Sequence, residues 1–587
     1  MPDSAPFADF AAALADVAET AGRHDKADRL GALLAELGDD DLRLAARWAA
    51  GRVFPLSDQR TVNVGFSVLR NATAEATGAD PDELQASLVR LGDPGDVAAA
   101  ALEALVPPAE PTWTLADADA FFAEVASTRG SRAKTALVAA ALGRLTPVEA
   151  RFLVKLLAGE TRIGMLEGGV EGALARLYDR KLGAVKRANR LTGDVGETAV
   201  LARHDRLAQA TLRMFHPIKF MLATGAEASD ARTLAEEVGR QLPPPVAVED
   251  KFDGIRAQVH VAADPGDDTL HGVAEGGARV ALFSRTLDAI QRAFPDLVGP
   301  LAAWAGVSPA GVIVDGEIVP VDPDGAVVPF QALQKRLGRK TVSDELRAQV
   351  PVAFVAYDVL AWDDAPTFNL AYRERQRLLD RLPMDGPLRR SAVTELDDLD
   401  RLDELFDAAR ARGNEGLMVK GLDSPYKPGR RGRDWLKVKK ALATLDVVVT
   451  SVERGHGGRR KFLSDFTFAV RASEADDTLL NVGKAYSGLT DAELAALTEW
   501  FEAHTLQTFA HGKVRTVVPE VVVEVAFDNV QVSKRHKGGY ALRFPRIVRW
   551  RQDKPVAEID TLATVAALAE GHEGTGKGDE GEPDAPR

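Results

Sequence analysis

The stretch Glu249-Asp250-Lys251-Phe252-Asp253-Gly254-Ile255-Arg256 decides how this chain is read. Before it, Val246 and Val248 alternate with other residues; after it, Ile255, Ala257 and Val259 do the same. Alternation of that kind marks strands, and Asp253-Gly254 between the two runs is a turn signal. Lys251 is thereby set beside a tight turn between two strands, where it is held and can still reach a cleft. Two acidic neighbours and an arginine five residues on complete the set. Alone, a lysine followed by Asp-Gly is a weak motif and fits a surface hairpin with a salt bridge equally well.

Its company is more telling. Val314-Asp315-Gly316-Glu317-Ile318 puts a carboxylate at a strand end, and Ala353-Phe354-Val355-Ala356-Tyr357-Asp358 ends a strand with aromatics. Glu415-Gly416-Leu417-Met418-Val419-Lys420 supplies a second carboxylate on another strand. In Trp435-Leu436-Lys437-Val438-Lys439, the two-residue period puts Lys437 and Lys439 on one face and Leu436 and Val438 on the other. Two ammonium groups on one strand face repel each other unless an anion lies between or above them. A triphosphate meets that need. Each segment alone reads as a solvated strand; five in this order do not.

Further out, the N-terminal ~210 residues read as helical. Phe10, Leu14, Val17 and Ala21 recur at helical spacing, as do Ala27, Leu30, Leu33, Leu34 and Leu37. A boundary is expected near His216-Pro217. A mixed α+β domain follows, with strands expected at 311–320, 352–360, 416–421 and 435–439 and helices at 370–382 and 399–412. From Asp446 the pattern turns mostly β and fits a compact barrel. The tail from Gly571, rich in Gly, Glu, Asp and Pro, cannot bury enough apolar area to offset its ordering entropy and is expected to be disordered. The expected domains are therefore 1–212, 213–441 and 442–570, with a tail at 571–587.

Composition narrows the function. The chain has 587 residues, 45% hydrophobic and 27% charged, which is globular composition and too long for one ordinary domain. No apolar run reaches membrane-spanning length and no secretory signal opens the chain, so no membrane partner and a cytoplasmic site are expected. The absence of cysteine excludes a disulfide framework, a cysteine nucleophile and a four-cysteine zinc ribbon. A net charge of -14 argues against a nucleic-acid partner globally, yet residues 427–440 carry seven basic side chains and one acidic. Local faces, not totals, bind polyanions. A second cluster, Arg454 to Lys461, has four basic side chains plus His456.

Taken together, these motifs resemble the ATP-dependent DNA ligases of the covalent nucleotidyltransferase superfamily, the bacterial and archaeal type with a helical DNA-binding domain. The resemblance spans roughly residues 10–570 and rests on the order and spacing of all six superfamily motifs. They are Lys251–Arg256, Phe283-Ser284-Arg285 with Asp315-Gly316-Glu317, Tyr357-Asp358, Glu415–Lys420, Trp435–Lys439 and Arg551-Gln552-Asp553-Lys554.

The resemblance implies an all-α DNA-binding domain, an α+β adenylation domain and an OB-fold β-barrel. It implies that Lys251 attacks ATP to form a lysyl-adenylate, with nearby cations favouring its neutral form. By the same resemblance Glu249 accepts from the adenine amino group or holds the turn, and Arg256 and Arg285 touch the ribose side and later the nick phosphate. Glu317 holds the ribose or a metal, Mg²⁺ or Mn²⁺, and Glu415 is a second metal ligand. Tyr357 stacks on adenine, with Phe354 the alternative, and Arg431, Lys437 and Lys439 neutralise phosphate charge. Arg551, Asp553 and Lys554 orient pyrophosphate. Arg162 and Gly164, ahead of a helix, and Arg543 and Arg546 in the barrel contact the backbone of nicked duplex DNA. The barrel is expected to swing on a hinge near Lys440 to Leu445, and Phe220-Met221-Leu222-Ala223, where relatives have Pro-Met-Leu-Ala, bears on linker rigidity rather than chemistry. A monomer working at the nucleoid in replication, repair or recombination is expected, with no sliding clamp or repair partner identifiable. An mRNA-capping guanylyltransferase or RNA ligase is the alternative.

Overall fold

The computed structural model describes residues 4–104, 110–227, 233–267, 270–337, 339, 341–439, 444–455, 459–509, 512–527 and 529–570. The expected tail, most of the expected hinge and the centre of the Arg454 to Lys461 cluster lie outside the described residues. The chain forms two compact units, one from residues up to Leu84 with Asp93–Lys439, the other from Gln85–Gly92 with the chain beyond Lys439.

Twelve α-helices among the described residues run from Phe7–Glu19 to Val195–Arg203, eleven of them wholly in the first unit and one, Pro81–Leu91, divided between the two. The first buries Phe7, Phe10, Ala11, Leu14 and Val17, as the spacing of Phe10, Leu14 and Val17 predicts, whereas Ala21 lies exposed past its end. Capping boxes at Thr114 and Thr146 start two of the others by satisfying orphan amides. Trp48, fully buried, takes edge contacts from Phe7, Phe10 and Phe122. This core does not stop where the helices end. Ile313, Leu360, Phe368, Tyr426 and Trp435, all beyond residue 213, belong to the same apolar cluster. The expected boundary at 212 is therefore a change of secondary structure and not a break in packing.

Two sheets form the rest of this unit. One has the order Leu222–Glu227, Arg431–Lys439, Gly416–Gly421, Val246–Lys251, Thr394–Leu396. The other is centred on Ile255–Ala263, Val312–Pro320 and Val352–Trp362, paired antiparallel in that order. The surface hairpin that the motif fits equally well does not form at Asp253-Gly254. The strands on either side of that turn do not pair with each other; each joins a different sheet. The chain crosses between sheets so closely that a Cβ on Gly254 would lie 2.3 Å from the Ile318 carbonyl oxygen, so only glycine fits. Lys251 thus stands at the seam of the two sheets.

In the second unit the long strand Thr444–Arg454 pairs antiparallel with Leu463–Ser473 along one edge. Along the other it pairs first with Val522–Ala526 and then with Val514–Val517. Bulges after Val449 and Glu453 let the strand bend as it changes partner. The product is a rolled antiparallel sheet around Val447, Val449, Phe466, Phe468, Val523 and Val525.

Candidate active site

Lys251 ends its strand opposite Gly416, and the Glu415 amide donates to the Lys251 carbonyl at 2.8 Å. That register carries the Glu415 carboxylate to the Lys251 ammonium, and the two form an ion pair. Lys439 reaches the same carboxylate oxygen at 2.9 Å from the next strand over. Lys439, one of the cations expected near Lys251, is thus close to it, while the nearest charged neighbour of Lys251 is the Glu415 carboxylate. Burial alone would raise the Glu415 carboxyl; Lys251, then Lys439, instead hold it well below the usual range, at about 2. Lys437 lies two residues along the same strand on the same face, while Leu436 and Val438 pack into the apolar cluster on the other face.

Across the seam, Arg256 stands directly opposite Glu317. Its guanidinium binds Asp315 in a fork at 3.1 and 2.7 Å, donates to the Met221 carbonyl at 2.8 Å, and lies 4.6 Å above the Phe220 ring. Asp315, fully buried, also accepts from the Tyr426 hydroxyl at 2.8 Å. Tyr426 in turn accepts from the Met221 amide at 2.9 Å. Phe220 and Met221 are thus the floor beneath Arg256, which corrects their reading as a linker without chemical consequence.

Glu317 is partly exposed at the cleft, yet burial pushes its carboxyl up to about 8, against the pull of Lys251 and Arg256. Its folded-state value exceeds the ordinary 4.5, so the folded protein keeps the extra proton. The stability tied to that proton is full below pH 4.5 and is lost as pH rises through about 8. Glu317→Gln mimics the protonated form. Without divalent cations, its stability should match the wild type at pH 5 and exceed it at pH 9 by roughly 2 kcal/mol, after screening by the open cleft. Urea titrations at the two pH values check this; a gap unchanged between them contradicts it.

Glu249 is buried beside Lys251, and its carboxylate is committed to Lys420 at 2.5 Å and to the Tyr372 hydroxyl. Through that carboxylate its strand is tied to the strand of Lys420 and to the helix of Tyr372. Sequence reading passed over Lys420. Its ammonium is almost fully buried, 4.8 Å from the Tyr357 ring centre, 4.4 Å from Trp435 and 5.0 Å from Tyr372. Such cation–π contacts contribute about 0.5–2 kcal/mol each and offset the cost of burying the charge. They also fix the Tyr357 ring, which stands edge-on to Trp435. Phe354 is fully buried in the core and cannot serve as the alternative stacking ring. Met418, on the same strand face as Lys420, packs against the same apolar cluster as Tyr357, and the sequence gave no reason to single it out.

Arg285 is exposed just past the strand Ala278–Ser284, in the turn that follows the Ala257–Ser284 pair. Arg431 is not brought to Lys251. It starts the strand that Lys439 ends and donates to the Ala223 carbonyl at 3.1 Å.

Glu317 and Glu415 are the two carboxylates at the seam that could hold a hard divalent cation. Glu415 and Glu317 are close enough that the charge of one acts on the other. Among the described residues no cluster of three or more acidic or histidine side chains is preformed. Two carboxylate oxygens suit a cation that keeps the rest of its coordination for water and phosphate oxygens, as Mg²⁺ does.

Among the helices, Arg162 and Gly164 both adopt positive φ, 52° and 72°, in the turn before the helix Glu167–Leu177. Lys26 pins that turn by donating to the Ile163 carbonyl at 2.6 Å. Arg162 donates to Glu160 at 2.9 Å. The helix that follows has no side-chain cap, and Leu166 at its cap position is 83% exposed. Beside it lies a cavity of about 290 Å³ lined in part by Leu166, Lys186, Arg190, Lys219 and Arg430. Burial and then the charge of Arg430 hold Arg190 below its usual value, a sign of cations packed against each other.

In the second unit, Arg543 lies 5.0 Å from the ring of exposed Phe544, and Arg546 starts the next strand. Arg551 binds Asp553 at 2.9 Å, and Arg551 and Lys554 share a second carboxylate, that of Asp446, at 2.9 and 2.6 Å.

Three family models match the chain. "DNA ligase N terminus" covers residues 6–175, "ATP dependent DNA ligase domain" 221–439 and "ATP dependent DNA ligase C terminal region" 459–554. A "Probable DNA ligase" of Koribacter versatilis is 45% identical over 543 residues, 88% of this chain and 89% of its own. A "DNA ligase" of Archaeoglobus fulgidus is 34% identical, covering 96% and 98%. A solved structure titled "Pmar-Lig_PreS3" has the same fold over 92% of this chain and 99% of its own, with a TM-score of 0.59 at 16% identity.

Proposed function

The chain belongs to the family of ATP-dependent DNA ligases, and from that premise we propose how its own residues divide the work of joining a nick. The observation that carries the proposal is Lys251 at the seam of two sheets, with Glu415 and Lys439 from neighbouring strands on one shared contact.

In the first step the Lys251 nitrogen, released from Glu415 and having given its proton to solvent water, attacks the α-phosphorus of ATP. A phosphorus–nitrogen bond forms, the bond to the β-phosphate oxygen breaks, and pyrophosphate leaves. Glu415, held at low pKa, is a weak base, so its part is to orient Lys251 and Lys439 until ATP arrives. A divalent cation held by Glu317 and Glu415 would supply charge neutralisation at the phosphate oxygens. Adenine lies between Tyr357 and Met418, with Tyr357 fixed by Lys420 and Glu249. Lys437 and Lys439 face the α-phosphate, where charge develops. In the second step a 5′-phosphate oxygen of the nick displaces lysine and takes the AMP. In the third the 3′-hydroxyl attacks that 5′-phosphorus and AMP leaves. Arg256, locked by Asp315, and exposed Arg285 line the path of the nick phosphate. Arg551 and Lys554, with Asp553 beside them, receive the pyrophosphate.

Duplex DNA is held by its backbone. The uncapped helix at Glu167 offers amides and a positive dipole end to one phosphate, and the cations around the adjoining cavity extend that surface. Arg162, Arg543 and Arg546 add further phosphate contacts, so binding falls steeply with salt and is indifferent to sequence. The domains are read as 1–212, 213–441 and 442–570, the enzyme as a monomer, and its place as the cytoplasm at the nucleoid, where its substrate lies. Among the described residues no helix is long and apolar enough to cross a membrane.

The test is transfer of label. With α-labelled ATP and Mg²⁺, label should attach to the protein and then pass to the 5′ end of a nicked DNA duplex. Labelling from GTP in place of ATP, or transfer to RNA ends alone, would favour the capping or RNA-ligase alternative.

A further inference from the structure

Asp446 is the third residue of the long strand of the second unit, Thr444–Arg454, and neither the motifs nor the comparisons single it out. Its carboxylate takes both cations of the C-terminal motif. Arg551 Nη1 donates to both carboxylate oxygens at 2.9 Å, and Lys554 Nζ donates to one at 2.6 Å. The strand does not need that carboxylate for anchorage. The Asp446 amide already donates to Asp560 at 2.7 Å, the Asp560 amide donates back to the Asp446 carbonyl at 2.9 Å, and residues 444–448 pair along Val522–Ala526. The side chain is thus spent on two functional cations and nothing else shown.

The arrangement orients those cations without exhausting them. Arg551 Nε and Nη2 donate to Asp553 at 2.9 Å, so carboxylates on two sides fix the guanidinium plane. A guanidinium carries five N–H groups and an ammonium three, so both keep donors for a further anion. A lysine and an arginine on flexible stems lose much rotamer freedom when they grip a phosphate. Holding them on one carboxylate beforehand removes part of that cost.

We propose that Asp446 is a positioning residue for the first chemical step, aiming Arg551 and Lys554 together at the departing pyrophosphate. The inference rests on the functional reading above. It predicts a split between steps, because pyrophosphate exists only in the first. In the full-length protein, Asp446→Asn should slow formation of lysyl-AMP roughly 10- to 100-fold and raise the KM for ATP. Sealing of a nick already carrying 5′-AMP should change less than about twofold, since that reaction makes no demand on the pair. Asp446→Glu, which keeps the charge, should recover part of the loss. In an Arg551→Met, Lys554→Met background, Asp446→Asn should add nothing.

Unchanged lysyl-AMP formation in Asp446→Asn overturns the proposal. So does an equal loss in both reactions, which marks a general defect of the unit. If Asp446→Asn fails to fold, the comparison of Asp446→Glu with wild type in the same two assays decides between the same outcomes. Failure of the wild type to form lysyl-AMP would instead strike the functional reading itself.

Discussion

Lys251→Arg should form no detectable lysyl-AMP, a loss of order 10⁴-fold or more in the first step. A guanidinium stays protonated in any accessible range and presents no lone pair to phosphorus. The structure makes this variant a clean one. Lys251 is paired with Glu415, and an arginine can keep that pair and form a two-pronged one. Folding should therefore be preserved, with stability within about 1 kcal/mol of the wild type. Lys251→Ala differs, because it leaves Glu415 with Lys439 alone. The loss in Lys251→Arg must then come from chemistry rather than from collapse of the cleft. Sealing of a nick already carrying 5′-AMP bypasses the lysine and should survive in part. Intact-mass measurement after incubation with ATP and Mg²⁺ reads the first step; an AMP adduct on the Lys251→Arg protein would remove Lys251 from its assigned role.

Much of this centre could be read from the chain because its strands are short and regular. Period-two alternation is enough to place Lys437 and Lys439 on one face and to give Leu436 and Val438 to the core, as their packing bears out. What could not be read were partners far away in sequence. Asp253-Gly254 has the local chemistry of a hairpin, and only pairing of Lys251 with Gly416 and of Arg256 with Glu317 reveals a crossing between sheets. Phe220-Met221 has no local signal at all. Its importance comes from Tyr426, 205 residues on, and from the guanidinium of Arg256. Lys420 ends a recognisable segment, but nothing in that segment shows three aromatic rings converging on its ammonium. At Lys251 the basic residues and Glu415 were all visible in the motifs, and what was not visible is that the register of two strands delivers the Glu415 carboxylate to the Lys251 ammonium.

Asp358 carries that lesson to the largest effect expected on stability. It follows Tyr357 in a recognisable motif and could pass for a cleft carboxylate. In the structure it is fully buried and faces Arg375, also fully buried, in a two-pronged pair at 2.6 and 3.0 Å. It accepts from the Val359 amide at 2.8 Å as well. Arg375 spends its remaining nitrogen on the Leu370 and Ser424 carbonyls at 2.6 and 2.9 Å. Asp358→Ala would leave a guanidinium in the core without its counter-ion, and breaking a buried pair in this way costs about 3–5 kcal/mol. Removing both partners, in Asp358→Ala with Arg375→Met, should cost less than the two single changes added together, because no uncompensated charge remains. Denaturant unfolding of the four proteins measures the coupling. The site should feel the loss too. Gln376, one residue after Arg375, donates to the Tyr357 carbonyl at 2.8 Å, so freeing Arg375 loosens the strand that carries the Tyr357 ring. A raised KM for ATP should therefore accompany the loss of stability in Asp358→Ala. If that variant unfolded within about 0.5 kcal/mol of the wild type, the pair would be no keystone of the sheet, and the placement of Tyr357 would have to rest on Lys420 and its rings alone.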